Sequence, residues 1–365
     1  MSEFIEGFLE KVRKDEYRID NELYSKYDVK KGLRNEDGTG VLVGLTKISD
    51  VVGYKRVDGK KVDCKGELYY RGINVSDIIN KRKPHQRFLF EETCFLILFG
   101  YLPNEDELNK FKDEMSKYYE LPPNYLESKI LGFPSKNLMN KLQQEVLMLY
   151  SYDDDPDNTS PKETMYKGLN LIAKIPLIVC YAYRSKVHYF DKESLYIHQI
   201  RYDLSIAENI LYLLRDNKQF TQKEAEVLDM CLVLHADHGG GNNSTFTNVV
   251  ISSTGTDIYS SFAGAIGSLK GPKHGGANLA VMQQMLLAID GIGIEATDQE
   301  IENIVEKILD KQFNDNRIKQ WICVILSICA ASFLTWAVAV NRSLAAEARI
   351  EKTQIRLADE VLRFH

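Results

Sequence analysis

The chain has 365 residues, of which 44% are hydrophobic and 27% are charged, and its formal net charge is −6. This is the composition of an ordinary globular protein, long enough for one large domain or two unequal ones. The acidic balance and the lack of a basic block argue against a nucleic-acid partner.

Two further features predict the compartment. The six cysteines form no CxxC pair, which in a chain of this length is typical of reduced thiols rather than of disulfides or a zinc site. The amphipathic, charged N-terminus contains no long apolar stretch and does not resemble a secretory signal. We therefore expect a cytoplasmic protein.

The first elements in chain order are a helix and a hairpin. Residues 1–30 predict a short helix followed by a polar connector. Between Gly40 and Gly72, short β-rich runs at 41–43, 51–54 and 67–70 are separated by glycine and Asp-Gly steps. Asp58-Gly59 is a strong tight-turn signal, so we predict a small antiparallel β-hairpin.

From Phe88 onward the apolar residues recur with a helical period. Helices are predicted from Phe90 to Gly100, from Pro103, and at about 135–150, 163–184, 205–215, 222–235, 256–269, 276–290 and 298–311. Helix boundaries are favoured by acidic residues in first turns and by glycine after last turns. So much helix with so little strand predicts a mainly α fold.

The composition changes near Asn314. All twenty tyrosines lie at or before Tyr259, whereas both tryptophans lie beyond the change. Residues 321–340 are uncharged, and a helix of this length spans roughly 30 Å, about the thickness of a bilayer core. Three origins fit this tail: a frameshift or rearrangement junction, a fusion to a membrane-spanning helix, or a buried helix of a divergent small domain. Length and lack of charge favour the membrane over the core.

Two stretches rich in glycine and histidine each follow an apolar helical run. They are LHADHGGGNNST at 234–245 and LKGPKHGGAN at 269–278. The glycines and the Gly-Pro step around His274 indicate a tight backbone with little side-chain bulk. We expect an exposed His274 imidazole at a junction between helices, where backbone N–H groups can bind an anion. Flanking glycines likewise favour a functional role for His238.

Other site types are less well supported. His235, Asp237 and His238 are capable metal ligands, but no further ligand is evident, and we predict no metal site. For His235 we favour a core histidine bonded to the backbone. The glycine-rich stretches lack the GK[ST] ending of a phosphate-binding loop, and neither GxGxxG in a βαβ unit nor GxSxG occurs.

In this order and spacing, the two stretches resemble the citrate synthase family. The family pattern H-[AS]-[DE]-H, followed by glycines and N-x-S, matches 235–244, and LKGP-x-HGGAN matches 269–278. Shorter matches lie at 69–73, 90–100, 135–137 and 205–209. The resemblance covers about residues 30–312 and is strongest to bacterial forms.

The resemblance implies a mainly α, citrate synthase-like large helical domain with a small N-terminal β-hairpin and a truncated small domain. It implies a homodimer that condenses acetyl-CoA with oxaloacetate, using acetyl-CoA as substrate and no cofactor. The position of His274 is catalytic in the family, where it bonds the thioester carbonyl and stabilises the enolate. His238 matches a residue that holds oxaloacetate. Asn242 and Ser244 line the same turn, and Ser244 could orient His274.

The second half of the family's site cannot be placed. The chain contains no GHxVY element with its second histidine and no DPR triplet, and after His274 the only histidine is His365. We therefore predict an N-terminal helix and connector at 1–30, a citrate synthase-like domain at 31–314, and a non-matching tail at 315–365 with a hydrophobic helix at 321–340.

Three functional hypotheses follow. The first is citrate synthase, with condensation lost in this chain because the second histidine and the catalytic aspartate are missing. The second is 2-methylcitrate synthase. The third is an inactive truncated or fused homologue, which would be membrane-anchored if 321–340 is a genuine span.

Overall fold

A computed structural model describes residues 21–26, 46–57, 60–80, 88–237, 239, 242–272 and 274–275, together with 297, 299, 300 and 303. The chain divides into two compact units, Met1–Gly44 and Leu45–His365. Helix α1, Asn21–Lys26, is the described element of the first unit. All elements below belong to the second unit.

A three-stranded antiparallel sheet opens the second unit. Its strands are β1 (Ser49–Val57), β2 (Lys60–Tyr70) and β3 (Ile73–Asn74), hydrogen-bonded in the order β1-β2-β3. β1 and β2 pair from Ser49 opposite Tyr70 to Val57 opposite Lys60. This confirms the predicted hairpin. The Asp58-Gly59 turn and the predicted strand at 41–43 lie outside the described residues.

Helices make up most of the remaining described chain. They are α2 (Val75–Asn80), α3 (Phe90–Phe99), α4 (Glu105–Ser116), α5 (Leu138–Met148), α6 (Pro161–Asp191), α7 (Ile206–Leu214), α8 (Gln222–Leu234), α9 (Asn243–Ser252) and α10 (Ile258–Leu269). A π-helix at Leu126–Leu131 and a 3-10 helix at Leu149–Tyr152 flank α5.

The mainly α fold is confirmed, and the predicted helices between 90 and 269 are present. Helix α9 was not predicted, because its polar and β-branched residues, NSTFTNVVIS, have weak helix propensity and follow three glycines. The predicted helix at 276–290 and nearly all of that at 298–311 lie outside the described residues.

Several helices start where the sequence supplies a reciprocal cap. The side chains of Asn104, Ser205 and Thr221 each accept the N–H of the residue three positions later, which is a glutamate. The glutamate side chain in turn accepts the N–H of the capping residue. This arrangement satisfies two backbone donors that a helix start otherwise leaves unpaired. It fixes the first turns of α4, α7 and α8.

The core is organised around α6, a helix of 31 residues. α5 and α7 pack on it, and its Leu171, Ile178 and Cys180 are almost completely buried. Burying a leucine or isoleucine side chain contributes roughly 1.5–3 kcal/mol. A second, smaller cluster joins the sheet to α2, α3 and α8 through Tyr70, Val75, Ile78, Leu89, Leu96 and Val233. That cluster places the hairpin against the end of α8.

Two buried carboxylates hold the starts of neighbouring helices. Asp229 of α8 accepts the N–H groups of Leu89 and Phe90 at 2.7 and 3.0 Å. α3 has no capping side chain of its own, so Asp229 takes that place. Glu91 of α3 accepts the N–H of Ile206 at 2.9 Å, at the start of α7. Carboxylates are favoured at helix N-termini by the helix dipole.

A buried lysine is hydrogen-bonded to the loop beside α10 and fixes it. Lys167 is nearly buried, and its Nζ donates to the carbonyl oxygens of Asp155, Pro156 and Asn158 at 2.5, 2.9 and 3.0 Å. The same loop accepts the Tyr259 hydroxyl, which donates to Asp153 Oδ2 at 2.7 Å. Because Tyr259 lies in the first turn of α10, the loop anchors the helix that leads to His274.

The cysteine and membrane predictions have different outcomes. Cys64, Cys94, Cys180 and Cys231 are free thiols, as predicted, and the remaining two cysteines lie outside the described residues. No helix within the described part of the chain combines the length and apolarity needed to cross a membrane. The segment 321–340, with the whole tail 315–365, lies outside that part.

Candidate active site

The first histidine stretch begins where α8 ends. His235 follows the helix, and its Nδ1 donates to the carbonyl oxygen of Cys231 at 2.5 Å. The interpretation of His235 as a backbone-bonded histidine is confirmed, although it is half-buried rather than in the core. Asp237 Oδ1 accepts the N–H of Gly239 at 3.0 Å, and Gly239 has a φ of 91°, a conformation that favours glycine. Asp237 therefore shapes the turn around His238, which itself lies outside the described residues.

Helix α9 starts at Asn243, five residues after His238. Asn242 caps it, since its Oδ1 accepts the N–H of Thr245 at 2.7 Å. Asn242 is a predicted substrate ligand, and its side-chain oxygen accepts a hydrogen bond that caps α9. Ser244 lies in the first turn of α9 and is partly buried.

The second histidine stretch is a compact turn after α10. His274 N–H donates to Gly271 O at 2.9 Å, and Gly275 N–H reaches back to Leu269 O at 2.7 Å. The second bond satisfies a carbonyl at the C-terminal end of the helix. The turn thus folds His274 back toward the end of α10.

The two stretches meet through one side-chain contact. Ser244 Oγ lies 3.0 Å from His274 Nε2, so the predicted serine–histidine pair is present. α9 and α10 form a closely packed helical hairpin: a Cβ placed on Gly264 would lie only 2.2 Å from Ile251 Cδ1. This packing brings the start of α9 and the end of α10 to the same place.

The predicted exposure of His274 is wrong. The residue is only 8% exposed. The prediction rested on the glycines and the Gly-Pro step around His274, whereas the chain forms α9 and lays Ser244 against the imidazole. A buried imidazole held by a hydroxyl has a defined ring orientation, because the hydroxyl can serve as donor or acceptor for one ring nitrogen.

At this pair, the His274 imidazole can act as a hydrogen-bond donor of fixed orientation. A neutral imidazole has one N–H, and its partner at the other nitrogen decides which nitrogen carries it. Such a preorganised donor stabilises negative charge that develops on an oxygen during a reaction. The pair is therefore suited to an oxyanion.

Among the residues that the structure covers, no cluster of three or more His, Cys, Asp or Glu could hold a metal ion.

The sequence reasoning missed two residues that lie beside Asp237 and Gly239, namely Ser49 and Tyr70. Tyr70 lies within one of the shorter family-like matches, 69–73, which was the available signal.

Comparison with known proteins places this chain in a family. Residues 35–318 match the family model described as citrate synthase, C-terminal domain. The chain is 33% identical over 277 residues to a citrate synthase of Haloferax volcanii, covering 74% of the chain and 65% of the relative. It is 32% identical over 267 residues to 2-methylcitrate synthase 1 of Corynebacterium glutamicum, covering 72% and 62%.

Solved structures agree. The crystal structure of citrate synthase from Thermotoga maritima MSB8 matches with a TM-score of 0.57 and 26% identity, over 91% of this chain and 78% of that one. The chain belongs to the citrate synthase family. It spans less than two thirds of the length of the first curated relatives that it matches.

Proposed function

We propose that this chain carries the oxaloacetate-binding and enolate-stabilising half of a citrate synthase active site. The reaction of the whole protein would be the condensation of acetyl-CoA with oxaloacetate and water to citrate and CoA. The observation that carries the proposal is the Ser244–His274 pair, 3.0 Å apart, with His274 buried where the start of α9 meets the end of α10. Family membership supplies the substrates.

In this reaction a base removes a methyl proton from the thioester, and negative charge develops on the carbonyl oxygen. An N–H of His274 donates to that oxygen, and Ser244 keeps the ring in the orientation that allows it. The enolate carbon then attacks the ketone carbon of oxaloacetate, whose oxygen takes up a proton to give citryl-CoA. Water then cleaves the C–S bond of the thioester, which gives citrate and CoA. We assign His238 to oxaloacetate, with Asn242 and Ser244 in the same turn. No metal or cofactor takes part in this proposal.

The base itself has no candidate in the sequence. Beyond Asn314 we propose a tail of separate origin, 315–365, joined to the citrate synthase-like domain 31–314. The sequence after His274 holds neither the GHxVY histidine nor the DPR triplet. Loss of a general base typically lowers a rate by about 10²–10⁴-fold. We accordingly propose that this chain binds substrates but does not turn them over at ordinary enzyme rates.

The test uses carboxymethyl-CoA, whose carboxylate resembles the thioester enolate. In the presence of oxaloacetate, the purified chain should bind carboxymethyl-CoA, and Ser244→Ala should weaken binding about tenfold, the expected effect of one hydrogen bond. Calorimetry gives both dissociation constants. Thiol release from acetyl-CoA and oxaloacetate should remain near background.

The matched control is Ser253→Ala, which removes a hydroxyl at the C-terminal end of α9 that donates to Val250 O at 2.7 Å. It should bind carboxymethyl-CoA like the parent chain. Failure of the parent chain to bind either ligand would refute the proposed function. Rapid thiol release would show instead that the chain is a complete enzyme.

A second candidate is 2-methylcitrate synthase, favoured by the 32% identity to the Corynebacterium glutamicum protein. The two activities differ by one methylene of the acyl group, a discrimination worth about 1–3 kcal/mol. Comparing acetyl-CoA with propionyl-CoA as substrates of a full-length relative would separate them.

We also propose a homodimer formed through α9 and α10. α9 has no fully buried residue, and Val249 and Val250 are 53% and 49% exposed. Phe262 of α10 is 37% exposed. Exposed apolar side chains on two packed helices favour an interface.

Light scattering after size-exclusion chromatography should therefore give the mass of two chains. Val250→Asp should give a single-chain mass, because a charge would be buried at the contact. Val62→Asp, at an equally exposed valine of β2, should leave the dimer intact. A single-chain mass for the parent protein would contradict the proposal.

For location we propose the cytoplasm, with anchoring through 321–340 as the alternative. Cell fractionation distinguishes them, since an anchored chain would require detergent for extraction.

A further inference from the structure

The end of the β-hairpin lies against the turn that carries His238. Tyr70, the last residue of β2, is fully buried, and its hydroxyl donates to Val233 O at 2.7 Å. The N–H of Asp237 points to the same hydroxyl at a longer 3.5 Å. One phenol therefore contacts both the last turn of α8 and the residue that precedes His238.

The residue after His238 meets the same end of the sheet. Gly239 is buried, and a Cβ placed on it would lie 3.5 Å from Ser49 O and 3.7 Å from Ser49 Oγ. Ser49 is the strand partner of Tyr70 and is 5% exposed, and its hydroxyl has no hydrogen-bond partner among the residues that the structure describes. A buried hydroxyl without a partner is unfavourable, so its place beside Gly239 is not explained by sheet stability.

The hairpin end is itself anchored. Arg71 N–H donates to Ile48 O at 2.7 Å, which closes the end of the sheet. The Arg71 guanidinium donates to Ile97 O at 3.0 and 2.6 Å, near the C-terminal end of α3, where a positive charge is favoured. A side chain borne on such a fixed element can hold a turn within narrow limits.

We propose that Tyr70 is a positioning residue for His238, which fixes the backbone leading into this histidine while Ser49 limits the backbone leading out of it. Tyr70 acts through the turn and does not touch substrate. The inference rests on the proposed role of His238 in holding oxaloacetate.

The protonation of Tyr70 is consistent with this role. Burial raises its pKa to about 12, so the phenol keeps its proton and remains a donor to Val233 O at any physiological pH. The Tyr70–Val233 hydrogen bond is thus not broken by loss of the phenol proton in the range where the proposed reaction runs.

The test is Tyr70→Phe in the full chain, which removes only the hydroxyl. The matched control is Tyr69→Phe, whose hydroxyl bonds within the hairpin to Glu67 Oε2 at 2.7 Å. Two readouts are compared under conditions where urea unfolding shows every variant folded. They are the dissociation constant of oxaloacetate by calorimetry and the ring signals of ¹⁵N-labelled histidines, with His238 assigned from His238→Gln.

Tyr70→Phe should weaken oxaloacetate binding up to about tenfold, as expected for one lost hydrogen bond, and should shift the His238 signals. His188, far along the chain, should be unaffected, and Tyr69→Phe should change neither readout. Unchanged oxaloacetate affinity and unchanged His238 signals in Tyr70→Phe would overturn the inference, even if the variant is less stable.

The two proposals fail in different ways. If the parent chain does not bind oxaloacetate, the proposed function fails, and the His238 signals alone decide the role of Tyr70. If the parent chain binds oxaloacetate and Tyr70→Phe binds it equally well with unshifted His238 signals, only the positioning role fails.

Discussion

Gly275→Ala should lower the free energy of unfolding by roughly 3 kcal/mol or more, because the new methyl group has no space. A Cβ on Gly275 would lie 2.3 Å from Leu269 O, and that oxygen accepts the N–H of Gly275 itself. The obstacle is backbone, so no side-chain rotation relieves it. The turn must open, and His274 moves with it, away from Ser244.

Urea unfolding measures the loss of stability, and the ring signals of His274 report whether it still meets Ser244. Gly168→Ala is the control, since this glycine lies inside α6 with nothing within 4 Å of its Cβ position. There the substitution should stabilise by roughly 0.5–1 kcal/mol, because alanine favours the helix. A Gly275→Ala chain as stable as the parent would show that the turn is not fixed as described.

The second large effect is a stability that falls as pH rises, caused by Asp229. Burial, together with the negative charge of Glu91, raises the pKa of Asp229 to about 7 from 3.8. The N–H groups of Leu89 and Phe90 oppose the shift but do not cancel it. Between about pH 4 and pH 7 the folded chain therefore holds a proton that the unfolded chain has released.

The sign follows from linkage: stability decreases with pH wherever the folded state binds more protons. A shift of this size corresponds to at most about 4 kcal/mol, at 1.36 kcal/mol per pKa unit. Lys112 is a nearby positive group that limits the shift. The contribution of Asp229 is present below its unfolded pKa and is lost as pH rises through its folded pKa.

Asp229→Asn should flatten this dependence, since asparagine does not titrate. Urea unfolding of both chains from pH 4 to pH 8 gives the difference in slope. Asp113→Asn, at an exposed position of α4, should reproduce the parent profile. Parallel profiles for Asp229→Asn and the parent chain would show that Asp229 does not bind the extra proton.

Much of this molecule follows from local sequence signals. The sequence contains each of three caps as a polar residue with glutamate three positions later, at Asn104, Ser205 and Thr221. All three helices begin there. The Asp-Gly step correctly placed the hairpin. The serine–histidine pair was also predicted, from the family pattern rather than from spacing.

What could not be predicted depends on contacts distant in sequence. α9 has a weak intrinsic helix propensity and packs against α10, so no local sequence pattern predicted it. The burial of His274 follows from that packing. Likewise, nothing near Asp229 in sequence indicates that it caps α3, since its partners lie about 140 residues earlier.

The Tyr70–Val233 bond also has a consequence for how the protein is made. Its partners are separated by 163 residues, whereas Ser244 and His274 are only 30 residues apart. At about 5–20 residues per second, a ribosome needs roughly 8–30 s to synthesise the chain between the hairpin and the end of α8. During that interval the apolar face of the hairpin that buries Tyr70 has no α8 to cover it. Until α8 is made, α2 and α3 can cover part of this face, and the part that α8 later covers is left as apolar surface to which a chaperone can bind.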